Sequence, residues 1–402
     1  MRELWKELFT HLLRIFKIGM IQWLPMNTYE KSLELHKLLG GKLEIKSKVP
    51  LTDCAMLTQA YSPGVAAACQ AIAADPAQAK ELTIKKNTVL VVSDGSAVLG
   101  LGNLGPLAAI PVMEGKAAIF KEFGGINAFP LCLDTQDTET IIATIKLVAP
   151  VFGGVNLEDF SAPRCFEIEE RLRRELSIPV MHDDQWGAAT VTLAALLNAN
   201  KVRGGDISKL KIVLSGVGAA GVATGRLLLL SGITDITFCD SKGIIHSGRK
   251  DLTKEKKELL NQSTANPKEG TLADALSGAD VFIGLSAPKI VTGDMVRSMA
   301  ERPIVFGLAN PTPEIMPEEA KEAGAFIVAT GRSDFPNQIN NSLVFPGLFK
   351  AMLEKNIPQF RTEMFLAVAD ALAKHVKEPT PEHIIPSMFE KGVVETVYNS
   401  VS

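Results

Sequence analysis

One thirty-residue stretch constrains the fold more than any other. KIVLSG (Lys211 to Gly216) has the β-branched, apolar composition of a buried strand, and a helix-like segment from Ala219 to Leu230 follows it closely. Between them Gly216, Gly218 and Gly221 fit the pattern GxGxxG in GVGAAG. The first glycine permits a tight turn, the second lets backbone approach a pyrophosphate, and the third lets helix and strand pack closely. The amides at the helix start, from Ala219 and Ala220, then face the phosphates. Asp240 closes the next strand-like run, ITFCD (Ile236 to Asp240), at the distance expected of a residue that binds ribose. The competing reading is a tight structural turn; the added acid favours a dinucleotide site. A carboxylate at Asp240 suits the free ribose hydroxyl of NAD, whereas Lys242 and Lys256 suit the 2′-phosphate of NADP or form a solvated face. Both cofactors stay open on these residues.

Further strand-like runs follow at VFIGLS (Val281 to Ser286), PIVFGL (Pro303 to Leu308) and FIVATG (Phe326 to Gly331). Continuous apolar runs joined by helical crossovers predict a parallel sheet covered on both faces, a doubly wound, Rossmann-type α/β domain over residues 186–344. Earlier, runs such as Val89 to Val92 alternate with helix-like segments such as Ala66 to Ala73 and Phe166 to Leu176, which predicts a second α/β domain, for substrate and catalysis, over 26–185. The Ala- and Leu-rich stretch from Asp184 to Arg203, ended by Gly204 and Gly205, is the expected hinge helix. The mostly helical tail, 345–402, is expected to pack back on the first domain. Residues 1–25 stand apart: Trp5, Leu8, Phe9, Leu12 and Phe16 recur at helical spacing among charges, as in an amphipathic extension.

Two segments carry paired acids in apolar surroundings. Glu158 and Asp159 lie in VNLEDFSAP, and Asp183 and Asp184 in PVMHDDQWG. Adjacent carboxylates resist being buried and ionised together, because desolvation and repulsion both raise their pKa. A divalent cation supplies the missing charge, and hard oxygen donors without zinc-type Cys or His spacing point to Mg²⁺ or Mn²⁺. Helix capping is the alternative for Asp183 and Asp184. Lys116, in VMEGKAAIF, is flanked by apolar residues; burial there is expected to lower its pKa toward that of a general base, unless it is a surface lysine. Tyr61, in AYSPGV, sits in a loop fixed by Pro63 and Gly64, where a core tyrosine is the plainer reading.

With AYSPGVA, VSDGSAVLGLGNLGPLAAIPVMEGKAAIFKEFGGI, NLEDFSAP, HDDQWGAATVTLAALLNA, SGVGAAG, GLANPTPE and NNSLVFPG, the chain resembles the malic enzymes of the short bacterial type from about Leu51 to Gly347. The resemblance implies oxidative decarboxylation of L-malate to pyruvate and CO₂ with NAD⁺ or NADP⁺ and Mg²⁺ or Mn²⁺. It implies Tyr61 as general acid, Lys116 as general base with Asp183 beside it, and Glu158, Asp159 and Asp184 as metal ligands. Asn310 and Asn341 match asparagines that hold the substrate carboxylate, Asn310 also bordering the cofactor. A homodimer or larger homo-oligomer is implied. The long animal-type enzymes carry a substrate-binding arginine where this chain has Ala97, so another group takes that carboxylate here; His182 stands at an asparagine position and receives no role.

Composition narrows the alternatives. Lys and Arg number 42 and Asp and Glu 45, without a long basic block, which argues against a nucleic-acid surface. The five cysteines form no CxxC pair, as expected of thiols in a reducing, cytoplasmic setting, and no run is long enough to span a bilayer. An amino-acid dehydrogenase shares the domain order but needs no metal. A non-catalytic dinucleotide sensor predicts missing catalytic groups, whereas lysine, tyrosine and three carboxylates are present.

Overall fold

The computed structural model describes Leu12 and residues 15–402 and divides into two compact units, 1–52 and 53–402. In the first unit residues 15–22 are helical, and helix α1 (Thr28–Leu39) follows. Asn27 and Glu30 start α1 with a reciprocal capping box, and Gly40, at φ 64°, ends it. Of the amphipathic pattern read in the extension, Trp5, Leu8 and Phe9 lie outside the described residues, while Leu12 and Phe16 are exposed.

The second unit opens with helices α2 (Cys54–Ala60) and α3 (Val65–Ala74), joined by the loop that holds Tyr61. Strands begin only at β1 (Thr88–Ser93), followed by α4 (Pro106–Gly124), β2 (Asn127–Cys132), α5 (Thr138–Val148), β3 (Gly154–Leu157), α6 (Arg164–Glu175) and β4 (Val180–His182). These four strands form one parallel sheet in the order β2-β1-β3-β4.

Helix α7 (Asp183–Arg203) leads out of β4. Its apolar residues are spread round the helix rather than gathered on one face, and 15 of its 21 residues are buried. The second sheet takes β5 (Ile212–Ser215), β6 (Ile236–Asp240), β7 (Gly243–Ile244), β8 (Val281–Gly284), β9 (Ile304–Gly307) and β10 (Ile327–Thr330), in the order β10-β9-β8-β5-β6-β7. All pairs are parallel except β6 with β7, a two-residue return that its shortness hid from the sequence reading. Helix α8 (Ala219–Leu230) follows β5, and α9 (Lys254–Gln262) follows β7. The strand order reverses between β5 and β8, which is where an open α/β sheet places its crevice.

Three helices complete the chain: α10 (Phe345–Glu354), α11 (Thr362–His375) and α12 (Val393–Ser400). Phe345 and Phe349 of α10 meet Phe120 of α4 at ring distances of 4.6 and 5.3 Å. Phe365 of α11 stacks on Trp186 of α7 at 4.7 Å. One continuous apolar cluster runs from Val89 and Val91 through α7 to Ile212 and Leu214, so α7 lies in the core that both sheets share. Among the described residues no helix is long and apolar enough to cross a membrane.

Candidate active site

In a parallel sheet every strand delivers its following residue to the same edge. The first sheet delivers Asp94 after β1, Glu158 and Asp159 after β3, and Asp183 and Asp184 after β4. Carboxylate oxygens of Glu158, Asp159 and Asp184 all lie within 4.8 Å of one another. The two segments read separately from sequence thus form one cluster.

Lys116 reaches this cluster from the middle of α4. Its Nζ donates to Asp183 Oδ2 at 2.7 Å, lies 2.8 Å from Glu158 Oε1, and sits 4.4 Å from the centre of the Phe345 ring. The side chain is only 7% exposed. Burial by itself would lower the lysine pKa, but the carboxylates of Asp183 and Glu158 outweigh it and raise that pKa. The expectation of a lysine whose pKa is lowered by burial is therefore corrected: its surroundings are acidic rather than merely apolar, and they hold the ammonium form.

The acids show the opposite strain. Burial, with Asp184 adding to it, pushes Asp159 up to about 7, and burial raises Glu158 and Asp183 as well. Asp159 stands in the left-handed region at φ 56°; its amide donates to Asp184 Oδ2 at 2.7 Å, and its Oδ2 is buried without a hydrogen-bond partner. Asp183 Oδ1 is likewise buried and unpartnered. Clustered acids of raised pKa, with an orphaned oxygen, fit a hard divalent cation held by Glu158, Asp159 and Asp184.

Asp184 is the exception, because the hydrogen bond from His182 overcomes burial and lowers its pKa. His182 Nε2 lies 3.0 Å from Asp184 Oδ2, and Gln185 Nε2 donates to both His182 Nδ1 and Glu169 Oε2, each at 2.9 Å. Trp186 Nε1 also donates to Glu169, at 3.2 Å. Glu169 was missed in the sequence because it reaches the site from α6, 15 residues before Asp184, and without it the sequence gives His182, Gln185 and Trp186 no common partner. The one local signal was a histidine directly before two aspartates. Asn156, whose Nδ2 donates to Glu158 Oε2 at 2.8 Å, lies only two residues before it and reads from sequence as one more residue of strand β3.

Asn341 comes beside Asp183 over Gly187, where a Cβ would stand 2.0 Å from Asp183 Oδ1 and 3.0 Å from the Asn341 Cβ. Asn310 follows β9 and precedes a cis peptide to Pro311; its side chain lies over Gly331 and its carbonyl over Gly100. Buried Glu314 fixes this loop by accepting from Ala309 N at 3.0 Å and Ser286 N at 2.8 Å. Ala97 lies close by, its amide donating to the Asp159 carbonyl at 2.9 Å. Tyr61 is not brought to the cluster. It is 69% exposed on the α2–α3 loop, so it is neither a core tyrosine nor a member of this chain's own constellation.

The glycine turn matches the demands of a dinucleotide. Gly216 has φ 96° and no room for a side chain, Gly221 packs against the Gly216 carbonyl so tightly that a Cβ would lie 1.8 Å from it, and Gly218 faces open space. Ala219 and Ala220 form the start of α8 above it. Asp240 sits at the end of β6, but its carboxylate is occupied. Arg249 donates to both oxygens at 2.8 and 3.0 Å, and Lys256 to one at 2.6 Å. Lys242 pairs instead with Asp251, at 2.7 Å. Arg249 escaped the sequence reading because it belongs to a loop beyond β7.

Comparison with known proteins bears on this geometry. The malic enzyme N-terminal domain profile matches residues 40–173, and the malic enzyme NAD binding domain profile matches 186–394. The chain is 50% identical over 380 residues to a bifunctional malic/malolactic enzyme of Bacillus subtilis (94% of this chain, 93% of the other). It is 52% identical to an NAD-dependent malic enzyme of Geobacillus stearothermophilus (94% and 78%) and 44% identical to an NADP-dependent malic enzyme of Halomonas elongata (89% and 84%). The crystal structure of an NAD-dependent malic enzyme from Thermotoga maritima superposes with a TM-score of 0.88 at 47% identity, covering 92% of this chain and 98% of that one.

Proposed function

We propose, from the premise that this chain belongs to the malic enzyme family, how its own residues share the work of the reaction. That reaction is the oxidative decarboxylation of malate to pyruvate and CO₂ with reduction of NAD⁺ or NADP⁺. The observation that carries the assignment is the convergence of Lys116 and Asp183 with three carboxylates, Glu158, Asp159 and Asp184, at one sheet edge.

Glu158, Asp159 and Asp184 hold the divalent cation, with His182 and Asn156 fixing two of those carboxylates. A Mg²⁺ or Mn²⁺ ion there supplies Lewis-acid stabilisation for negative charge on the C2 oxygen of malate. Gly216, Gly218, Gly221, Ala219 and Ala220 hold the cofactor pyrophosphate, and the bound nicotinamide supplies the hydride acceptor. Lys116 takes the C2 hydroxyl proton. Asp183 Oδ2, 2.7 Å from Nζ, orients the amine for that transfer and offsets the charge it gains. Asn310 and Asn341 orient the substrate carboxylate. Tyr61 gives its phenol proton to C3 after CO₂ leaves, and the phenolate recovers a proton from Lys116, so the cycle closes without net proton release. Helix α7, carrying both aspartates at its start, joins a substrate domain (26–185) to a cofactor domain (186–344).

The test is malate turnover with NAD⁺ and NADP⁺ in parallel, with and without EDTA, measuring pyruvate and lactate. Metal-dependent pyruvate formation is expected. Turnover unaffected by EDTA, or lost with malate and present with amino acids, defeats the reading. Asp184→Ala is expected to abolish activity beyond rescue by Mn²⁺.

A further inference from the structure

The carboxylate cluster is braced by a buried acid that does not belong to it. Glu169, in the middle of α6, is only 5% exposed. Its two oxygens accept three N–H groups from the start of α7 and the residue before it: the His182 amide at 3.0 Å, Gln185 Nε2 at 2.9 Å and Trp186 Nε1 at 3.2 Å. A carboxylate is costly to bury, and an apolar side chain would fill the same space at lower cost. A grip on the first turn of α7 explains the bond to the His182 amide. It does not explain why the acid also holds the side chain of Gln185.

The direction of the bonds supplies the reason. An ionised Glu169 has no proton to give, so Gln185 turns its amide nitrogen toward it. The second hydrogen of that nitrogen points at His182 Nδ1, 2.9 Å away, which therefore accepts. The ring proton then stands on Nε2, 3.0 Å from Asp184 Oδ2. The Asp159 amide reaches the same oxygen at 2.7 Å. Both donors thus fall on Oδ2, and among the described residues none falls on Oδ1.

We infer that Glu169 is a positioning residue for the metal centre: through Gln185 it fixes the tautomer and tilt of His182, which pins Asp184 by Oδ2 and leaves Oδ1 to the cation. The inference rests on the functional reading above, in which Asp184 is a metal ligand. Glu169 itself touches neither the ion nor the substrate, so its contribution is to how tightly the ion is held rather than to the chemical step.

Mn²⁺ titration followed by electron paramagnetic resonance of the free ion tests it, beside steady-state kinetics. Glu169→Gln, which brings a donor of its own among three donors, is expected to raise the Mn²⁺ Kd roughly 10- to 100-fold. The Mn²⁺ needed for half-maximal turnover should rise in parallel, with kcat at saturating Mn²⁺ changing far less. His182→Phe should weaken Mn²⁺ binding similarly, and the double variant no more than the worse single one, because both break one chain of bonds. His182→Gln, which places an amide nitrogen where Nε2 stands, should restore most of the affinity. Should Glu169→Gln not fold, Gln185→Met takes its place with the same expected outcome. A lowered melting temperature with the Mn²⁺ Kd unchanged makes Glu169 a brace for α7 alone and overturns the inference, as does a double variant whose two losses multiply. Should the wild type bind no Mn²⁺, the functional reading falls instead, and the relay is judged without metal by the ¹⁵N resonances of the imidazole, assigned to His182 by their loss in His182→Phe. A proton on Nε2, with that preference lost in Glu169→Gln or Gln185→Met, supports it. A wild-type ring protonated on Nδ1, or a variant ring identical to it, overturns it.

Discussion

A lysine between two carboxylates illustrates how much a residue's role depends on neighbours that lie far off in sequence. The apolar flank of Lys116 was legible as burial, but the sign of its pKa shift was not, because Asp183 and Glu158 arrive from other strands. Gly187 is part of that arrangement, as only a missing side chain leaves room for the Asp183 carboxylate. Gly187→Ala should therefore displace Asp183 and lower kcat by about 10²-fold or more, with cofactor affinity little changed; steady-state kinetics decide it. Asp240 gives a second residue-scale prediction. Burial would raise its pKa, but hydrogen bonds from Arg249 and Lys256 bring it down to about 2, so it stays ionised and paired. With Arg249→Ala the acid keeps only Lys256 as a cationic partner, and the KM for NADP⁺ should rise about tenfold more than that for NAD⁺. A depressed carboxyl pKa stabilises the fold above its ordinary value and ceases to do so as pH falls through the lowered one. The loss of stability in Arg249→Ala, measured by denaturant unfolding, should thus be full at about pH 5 and fade toward pH 2.

At the scale of elements the second sheet was the more legible, for a physical reason. Its central parallel strands are buried on both faces, so β5, β8, β9 and β10 read as largely apolar runs, and Ala219 to Leu230 is helical over the range the pattern predicts. The glycine turn between β5 and α8 is legible for the same reason that makes it fragile. A methyl group at Gly221 would meet the Gly216 carbonyl and push α8 off β5. Gly221→Ala should cost about 1–3 kcal/mol, lower the melting temperature by a few degrees and weaken binding of both cofactors together, as differential scanning fluorimetry with and without cofactor can show. The region before β1 was less legible. Ala66 to Ala73 reads as helical and α3 is a helix, but hydropathy alone does not tell that neither α2 nor α3 fully buries a residue.

For the whole molecule, the site acts as a stored electrostatic cost. Glu158, Asp159, Asp183 and Asp184 crowd one edge of the first sheet with Lys116 against two of them, and buried oxygens of Asp159 and Asp183 lack partners. Sequence pairs of acids announced this crowding, but its consequence for the fold depends on distances only the structure supplies. An ion that binds the folded chain and not the unfolded one stabilises it by mass action, by about 2.7 kcal/mol at a hundredfold excess over its Kd. Mn²⁺ should therefore raise the melting temperature of the cofactor-free protein, and EDTA should reverse the rise. Asp184→Asn should lose the increment, because the shared ion loses a ligand. Wild-type protein whose melting temperature ignores Mn²⁺ would show that these carboxylates do not meet around an ion, whatever its effect on turnover.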